Sequence, residues 1–383
     1  MKPSANTWDA LAGAYQLRPG QHPGVIGQRP VLGAGKLAQL LAGQRGEQIG
    51  ATLSSVFTLC AHAHRRTAAL ALAAAQHDTT HPHQAQPPVL LYVETARDHL
   101  RSIALDWPQR QPDATVDAQT MAWLRDCPLP LATPRIPGDA TTGWQTLAKL
   151  RAWLEDSVLH QPVPRWLSEH QHPDALANWC RTQATQLAPA RCLANWHTPA
   201  SALAPETRLL KLLALDPTRQ TVQLRQLAQA LMSEPDFVQQ PTWLGQCAET
   251  GPWARLRHHP MQASTRHTAW TRLAARWSDL MEIAAATPDT DQPGTAPLLS
   301  SGALALANGQ ALAWCEMARG LLLHWVQLDA QGGVQDYRVL APTEWNFHPN
   351  GALARAVAAL PPGDTETARI LAAAYDPCVA CTV

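Results

Sequence analysis

The chain contains 383 residues, of which 46% are hydrophobic and 16% are charged, whereas charged residues make up about 25% of an average globular protein. This composition excludes a disordered protein dominated by an acidic or basic tail. Lysine plus arginine and aspartate plus glutamate number 30 each, so no net field favours nucleic acid or an anionic membrane as a partner.

The N-terminal segment is not expected to carry a targeting signal. Residues 1–20 are polar and lack the apolar core of a signal peptide. The longest apolar run, 68–75, is far shorter than the roughly 20 residues that span a bilayer. We therefore expect a cytoplasmic protein without a membrane partner. Its eight cysteines are then expected to be thiols or metal ligands rather than disulfides.

Apolar residues recur at helical spacing along most of the chain. The predicted helices are 35–41, 51–75, 89–106, 142–159, 175–186, 201–215, 221–232 and 265–286. The polar segment 76–88 is predicted to be a connection, and 287–297, rich in Thr, Asp, Pro and Gly, a linker or surface loop. The 32 prolines indicate that the helices are interrupted often.

The pattern changes after Gly302. Segments 321–328 and 334–340 flank a turn that contains glycine, which predicts two antiparallel strands. Segment 364–374 predicts a final helix that leads to the C-terminal cysteines. The predicted fold class is therefore mainly α, within an α+β description. We expect a helical bundle core with one small antiparallel β pair near the C-terminal end.

Two cysteine motifs could carry metal chemistry. Cys378 and Cys381 have the C-x-x-C spacing of a metal chelate or a redox dithiol. Cys60 and His64 are four residues apart and would share one face of a predicted helix. Together these four residues could form a zinc site with three thiolates and one imidazole. The other five cysteines have no partners in sequence and are predicted to be ordinary buried thiols.

The last third of the chain resembles the large subunit of nickel–iron hydrogenases. The segments that carry this resemblance are Glu-Met-Ala-Arg-Gly at 316–320, the strand 320–325, Ala-Pro-Thr-Glu-Trp-Asn at 341–346, Asp-Pro-Cys-x-x-Cys at 376–381 and, upstream, 249–255. Their order matches that of the family. The resemblance implies a single large-subunit-like domain over 1–383, with an N-terminal half-site over 31–76, a helical middle over 89–286 and a C-terminal half-site over 302–383.

Two residues depart from the family pattern, one at a metal position and one at the position of the proton relay. The family's N-terminal motif has two cysteines ahead of a histidine, and an ungapped alignment on His64 puts the second on Cys60 and the first on Phe57. The resemblance implies that Cys60 and Cys381 are the thiolates that bridge nickel and iron in the family. Cys378 would occupy one of the two positions that bind nickel alone. At the other such position, Phe57 replaces the cysteine. The family's proton-relaying glutamate falls on Ala38 by the same spacing.

These departures match hydrogenase maturation proteins of the HupK/HoxV type. The resemblance implies a scaffold, not a catalyst, that transiently holds iron with CO and cyanide ligands and passes it to the hydrogenase large-subunit precursor. No nickel is expected. The expected partners include a small maturation chaperone and other cofactor-assembly proteins. The chain ends at Val383 without the tail that catalytic large subunits lose by cleavage, so no such cleavage is expected.

Three further residues receive roles from the same resemblance. Arg319 and Thr343 stand at positions that contact the cyanide ligands in the family, although Ala318 replaces the usual proline before the arginine. His64 is expected beside the site, in a structural role more than as a ligand. Without the resemblance, Arg319 could simply pair with Glu316, and Thr343 could be a turn residue.

Two alternatives stay open at this point. A divergent hydrogenase would contain nickel together with iron and would bind an iron–sulfur partner subunit, against which Phe57 and Ala38 argue. A structural zinc protein would use Cys60, His64 and the C-terminal cysteine pair. Metal analysis distinguishes the three, because they predict iron alone, nickel with iron, or zinc.

Overall fold

Helices form most of the computed structural model, which describes residues 12–33, 35–77, 88–111, 120–131, 136, 138–255, 267–291, 297–307 and 309–383. The α-helices of four or more residues are α1 (Lys36–Leu41), α2 (Glu47–Val56), α3 (Ala61–Ala75), α4 (Pro88–Arg101), α5 (Ala140–Trp153), α6 (Val163–Glu169), α7 (Pro173–Gln183), α8 (Ala188–Ala202), α9 (Pro217–Ser233), α10 (Pro252–Arg255), α11 (Ala269–Ala285), α12 (Pro342–Asn346), α13 (Ala352–Ala358) and α14 (Thr365–Tyr375). Within these ranges, no helix combines the length and apolar character needed to cross a bilayer.

The predicted helix 51–75 is wrong as a single element. Helix α2 ends at Val56 and α3 begins at Ala61, while Cys60 has non-helical backbone angles of φ −119° and ψ 38°. The break has a tertiary cause, because the Glu94 carboxylate accepts hydrogen bonds from the backbone N–H groups of His62 and Ala63 at 2.7 and 2.8 Å. A buried acid thus satisfies the first donors of a new helix.

The predicted helix 201–215 is also wrong. Helix α8 ends at Ala202, because Pro205 disfavours helical angles in the residue before it. The chain then runs along the segment around Glu249, with the Leu210 N–H donating to the Glu249 carbonyl at 2.8 Å. The spacing of apolar residues did not predict helix α8, because prolines lie at its start and inside it. Much of 76–88 and of 287–297 lies outside the described residues.

The single predicted β pair is part of a larger antiparallel sheet. Its strands, in the order β3-β4-β5-β6, are β3 (Ser301–Ala305), β4 (Gln310–Met317), β5 (Gly320–Leu328) and β6 (Val334–Leu340). The β5–β6 hairpin is the predicted pair, with Trp325 opposite Arg338. The predicted mainly α class with a small β component is confirmed, and its extent of β structure is corrected.

A second sheet joins the two ends of the chain. It contains β1 (Ala14–Leu17), β2 (Val25–Gln28) and β7 (Ala380–Thr382), in the order β2-β1-β7. Strand β7 pairs in parallel with β1, with Tyr15 opposite Cys381. Because β7 begins two residues after Cys378, this sheet places the C-terminal cysteine motif beside the N-terminal strands.

One continuous core fixes the elements that carry the cysteines. The small residues of α3, including Ala63, Ala68 and Ala71, are almost completely buried and let the helix pack closely against β4 and β5. Helix α11 contacts α4, α8 and α14. The start of α3 and the end of α14 are therefore held by rigid neighbours on both sides.

Candidate functional site

A cavity of about 380 Å³ lies where the two ends of the chain meet. Its walls come from the N-terminal strands, from the loop between α2 and α3, and from the C-terminal motif. The lining residues are Ala12, Arg29, Val31, Ser55, Val56, Phe57, Thr58, Leu59, Cys60, Cys378 and Val379. Two of the three predicted cysteine ligands, Cys60 and Cys378, therefore face the same space.

Cys60 is a buried thiol at the entrance to α3. Burial raises its pKa well above the usual value, and the nearby Cys378 raises it further, whereas Arg319 opposes the shift. The protein without a bound metal therefore holds Cys60 in its neutral form at physiological pH. A metal that binds here displaces the proton, so metal binding is linked to pH.

Helix α4 fixes the loop that carries Cys60. Glu94 accepts from the first backbone N–H groups of α3, as described above, and Arg97 Nη2 donates to the Leu59 carbonyl at 2.6 Å. Arg97 Nη2 also lies 2.9 Å from Asp98 Oδ1. These charge-assisted bonds leave the backbone around Cys60 little freedom to move.

Cys378 is partly exposed and contacts a predicted site residue. Its sulfur lies 3.2 Å from Thr343 Oγ1, and Thr343 is buried in the first turn of α12. The structure thus brings together Thr343, Cys378 and Cys60, three of the six residues that the sequence predicts for the site.

Arg319 is held by two buried carboxylates, and its predicted contact with a cyanide ligand stays a prediction. It lies in the turn between β4 and β5, 3.4 Å from Asp98 Oδ2 and, through Nε, 3.2 Å from Asp376 Oδ2. Burial disfavours its charge, but these two carboxylates outweigh burial and raise its pKa. Arg319 lines a separate small space of about 20 Å³ with Arg276.

Cys381 lies in β7 and is not among the residues that line the cavity of Cys60 and Cys378. Burial raises its pKa to about 11, and a hydrogen bond with Arg110 works in the opposite direction. The predicted bridging pair of Cys60 and Cys381 stays a prediction. The thiols that share a cavity in this structure are Cys60 and Cys378.

His64 supports the cavity wall from behind. Its ring stacks on Phe57 at 3.9 Å between centroids and 8° between planes. Its Nδ1 lies 3.0 Å from His324 Nε2, and His324 Nδ1 lies 2.7 Å from the Tyr337 hydroxyl. Burial lowers the pKa of both histidines, that of His324 to about 3. The structure therefore keeps both rings neutral and engaged with each other.

No zinc site is assembled by the predicted set. Across the described ranges, no group of three or more His, Cys, Asp or Glu side chains is arranged to hold a metal ion. His64 is directed to His324, and Cys381 to Arg110, so neither joins the other two thiols.

Comparison with known proteins identifies the family. The hydrogenase expression/formation protein HoxV of Cupriavidus necator is 40% identical over 398 residues, which cover 98% of this chain and 96% of HoxV. The chain belongs to the HoxV/HupK family of hydrogenase expression/formation proteins. The predicted resemblance is thereby confirmed.

Further relatives support this membership. HupV of Azotobacter chroococcum, also a hydrogenase expression/formation protein, is 28% identical over 97% of this chain and 98% of its own. HupK of Bradyrhizobium diazoefficiens is 34% identical over 40% of this chain and 43% of its own. The family model of nickel-dependent hydrogenases matches residues 263–383 of this HoxV/HupK family member.

The fold agrees with that of a hydrogenase. The crystal structure of an NAD+-reducing [NiFe]-hydrogenase in the H2-reduced state superposes with a TM-score of 0.55 at 15% identity, covering 92% of each chain. At this identity the likeness concerns the fold alone. This member of the HoxV/HupK family thus has the hydrogenase fold, with Phe57 and Cys60 on the same cavity wall.

Three residues near the cavity were missed by the sequence analysis. Arg29 lines the cavity and lies 3.7 Å from Glu344 Oε1 through Nη1, and the Tyr15 hydroxyl donates to Glu344 Oε2 at 2.9 Å. Arg29 and Tyr15 precede the predicted half-site 31–76. No local spacing links them to Cys378, because their proximity depends on the pairing of β1 with β7.

Proposed function

We propose that this chain is a hydrogenase maturation scaffold that transiently holds an iron centre with CO and cyanide ligands and passes it to the hydrogenase large-subunit precursor. It acts in assembly in the cytoplasm and not as a catalyst. Membership of a family of hydrogenase expression/formation proteins supports the maturation role. The proposal that the cargo is an iron centre rests on the cavity shared by Cys60 and Cys378.

The chemistry of the cavity suits this cargo. Low-spin ferrous iron with strong-field diatomic ligands prefers soft thiolates to oxygen ligands. Because the diatomic molecules fill most of the iron's positions, a pair of protein thiolates suffices. Val31, Val56 and Phe57 give the wall apolar surfaces, against which CO can pack without losing hydrogen bonds to water.

Polar groups around the cavity would hold the complex in one orientation. The Thr343 hydroxyl next to Cys378 can donate a hydrogen bond to a thiolate or a cyanide. Arg319 and His64 would act indirectly, Arg319 through Asp376 ahead of the C-x-x-C motif and His64 through Phe57. Cys381 remains the candidate for a further thiolate if the segment after Cys378 rearranges on loading.

Release of the cargo follows from how the site is closed. Cys60 and Cys378 come from distant parts of the chain, and β7, which follows Cys378, contains only three residues. Separation of this short strand from β1 would move Cys378 away from Cys60 and leave the iron with one thiolate. A strand of three residues makes few contacts and opens at low cost in free energy, which suits a transient carrier.

The proposal is tested by metal analysis and infrared spectroscopy of the protein isolated from a host that produces active hydrogenase. We expect iron without nickel, and absorption bands of bound CO and cyanide. The matched control is Cys127→Ser, which alters a thiol remote in sequence and leaves the cavity-lining residues unchanged. Absence of iron and of both bands contradicts the proposal. Nickel together with iron indicates a divergent hydrogenase, and zinc alone indicates a structural metal site.

The proposed partners are the large-subunit precursor and a small maturation chaperone. Co-purification from the same host tests them directly. We expect the precursor to be recovered with the wild-type chain, and in smaller amount once the iron has been transferred to it.

A further inference from the structure

Arg29 is a buried cation on the wall of the cysteine cavity. It follows β2 directly, its exposed fraction is 5%, and it lines the cavity with Cys60 and Cys378. Burial disfavours its charge, yet Cys378 and Glu344 outweigh burial and raise its pKa. Arg29 is therefore charged at every physiological pH.

The partners of Arg29 leave part of its hydrogen-bonding capacity unused. Its nearest carboxylate oxygen, Glu344 Oε1, is 3.7 Å from Nη1 and thus beyond hydrogen-bond distance. Among the described residues its Nε has no hydrogen-bond partner. A buried guanidinium with unused donors is costly unless a ligand accepts from it.

Two neighbours hold the guanidinium in place without satisfying it. Its central carbon lies 5.5 Å from the centroid of the Phe57 ring, within the range of a cation–π interaction. Glu344 is itself fixed by the Tyr15 hydroxyl. Arg29 is therefore preorganised, and binding a ligand costs it little conformational entropy.

The cation next to the cavity contrasts with Arg319, whose charge is already compensated. Arg319 Nε also lacks a well-aligned hydrogen bond, but it lies 3.2 Å from Asp376 Oδ2, and its Nη1 lies 3.4 Å from Asp98 Oδ2. Arg29 has one distant carboxylate where Arg319 has two near ones. An anion that enters the cavity could therefore accept hydrogen bonds from the guanidinium of Arg29.

We propose that Arg29 is the residue that recognises the negative charge of the bound metal complex, by donating hydrogen bonds to an anionic ligand such as cyanide. Phe57 and Glu344 position its guanidinium. A ferrous ion that carries cyanides and two protein thiolates has a net negative charge, which a buried cation stabilises. This inference rests on the proposed function and adds to it the site's selectivity for an anionic complex.

The test compares four variants isolated from the hydrogenase-producing host. Arg29→Met removes the charge, and Arg29→Met combined with Glu344→Gln removes both partners so that no unpaired carboxylate is left to destabilise the fold. Arg29→Lys keeps the charge. The matched control is Arg219→Met, at an exposed arginine paired with Asp216. Iron content and the intensity and frequency of the cyanide bands are measured on folded protein.

We expect the methionine variants to contain about tenfold less iron–cyanide complex than wild type, the size of a lost charge-assisted hydrogen bond. Arg29→Lys should retain most of the iron with shifted cyanide bands, and Arg219→Met should match wild type. If the double variant keeps wild-type occupancy and frequencies, or if Arg29→Lys is as depleted as Arg29→Met, the inference is wrong while the proposed function stands. If wild type itself lacks the bands, the proposed function fails first.

Discussion

Two buried arginines flank the cysteine cavity, and they differ in what surrounds them. Arg319 has an exposed fraction of 3% and Arg29 of 5%, so both guanidinium groups are removed from water. Arg319 is held by two carboxylates, whereas Arg29 has a single distant one. The difference indicates that a buried cation with complete partners stabilises the fold, and that one with unused donors is available to a ligand.

The surroundings of Arg319 also explain how the C-terminal cysteine motif is positioned. Asp376 ends α14 with a left-handed backbone, φ 45° and ψ 72°, which a non-glycine residue adopts at a cost. Ser102 Oγ donates to Asp376 Oδ1 at 2.7 Å, and Arg276 Nη1 lies 3.0 Å from Oδ2. Arg319 completes this cluster, which turns the chain from α14 towards Cys378.

The largest predicted effect is on the Arg319 side of the cavity. Arg319→Met removes the cation that Asp98 and Asp376 share, while Asp98 keeps Arg97 and Asp376 keeps Arg276. We expect the free energy of unfolding to fall by about 3 kcal/mol, because two interactions between buried charged groups are lost at once. Urea unfolding followed by circular dichroism measures it, with Arg219→Met as the exposed control, which should change by less than about 0.5 kcal/mol. A loss below about 1 kcal/mol for Arg319→Met would remove the basis of the comparison.

Glu344, next to Arg29, makes the stability of the fold depend on pH. Burial raises the pKa of Glu344 to about 7, with Arg29 and Tyr15 acting in the opposite direction. Because the folded-state pKa is above the usual 4.5 of the unfolded chain, this group's contribution to stability is complete below about pH 4.5 and is lost as the pH rises through 7. Between pH 5 and 8, wild type should lose up to about 3 kcal/mol relative to Glu344→Gln. Parallel stability curves for the two proteins would contradict this assignment.

Arg29→Met should destabilise the protein less than Arg319→Met does. The remaining Glu344 keeps the Tyr15 hydroxyl as a donor, and it can take up a proton near neutral pH. We expect a loss of about 1–2 kcal/mol at pH 7, measured by the same urea titration. Equal losses for the two arginine variants would show that both cations are structural and would remove the reason to assign Arg29 to a ligand.

The smallest effect concerns Thr343. Replacement by Val removes the hydrogen bond with Cys378 but preserves the shape of the side chain, so stability should fall by only about 1 kcal/mol. Alkylation of Cys378 by iodoacetamide, measured by mass spectrometry, should become slower because the reacting thiolate loses the hydroxyl that can donate a hydrogen bond to it. Cys247→Ser provides a background without the partly exposed thiol that lies 3.3 Å from His348 Nδ1. An unchanged alkylation rate would contradict a positioning role for Thr343.

Much of the fold follows from local sequence pattern. Strand β6 spans 334–340, as the alternating apolar pattern and the glycine turn predicted. Helices α9 and α14 differ from their predicted bounds by a few residues at the ends. These elements depend mainly on their own residues. The break at Cys60 could not be predicted in this way, since it depends on the Glu94 carboxylate from α4.

The residues of the site likewise differ in how far their own sequence surroundings reveal them. The cysteines and Thr343 could be found from motifs, because the motif residues are close in sequence and carry the chemistry themselves. Arg29 could not, because only the parallel pairing of β1 with β7 brings the N-terminal strands to the C-terminal motif. The C-x-x-C spacing suggested one chelate, whereas β7 takes Cys381 towards Arg110 and leaves Cys378 at the cavity.

The most direct test of the account is an infrared comparison of wild type with Cys60→Ala, Cys378→Ala and Cys381→Ala, each isolated from the same hydrogenase-producing host. We predict CO and cyanide bands in wild type and their loss in Cys60→Ala and Cys378→Ala, while Cys381→Ala reports whether the third thiol contributes to the loaded state. Bands of wild-type intensity in both Cys60→Ala and Cys378→Ala would contradict the claim that these two thiols hold the iron centre.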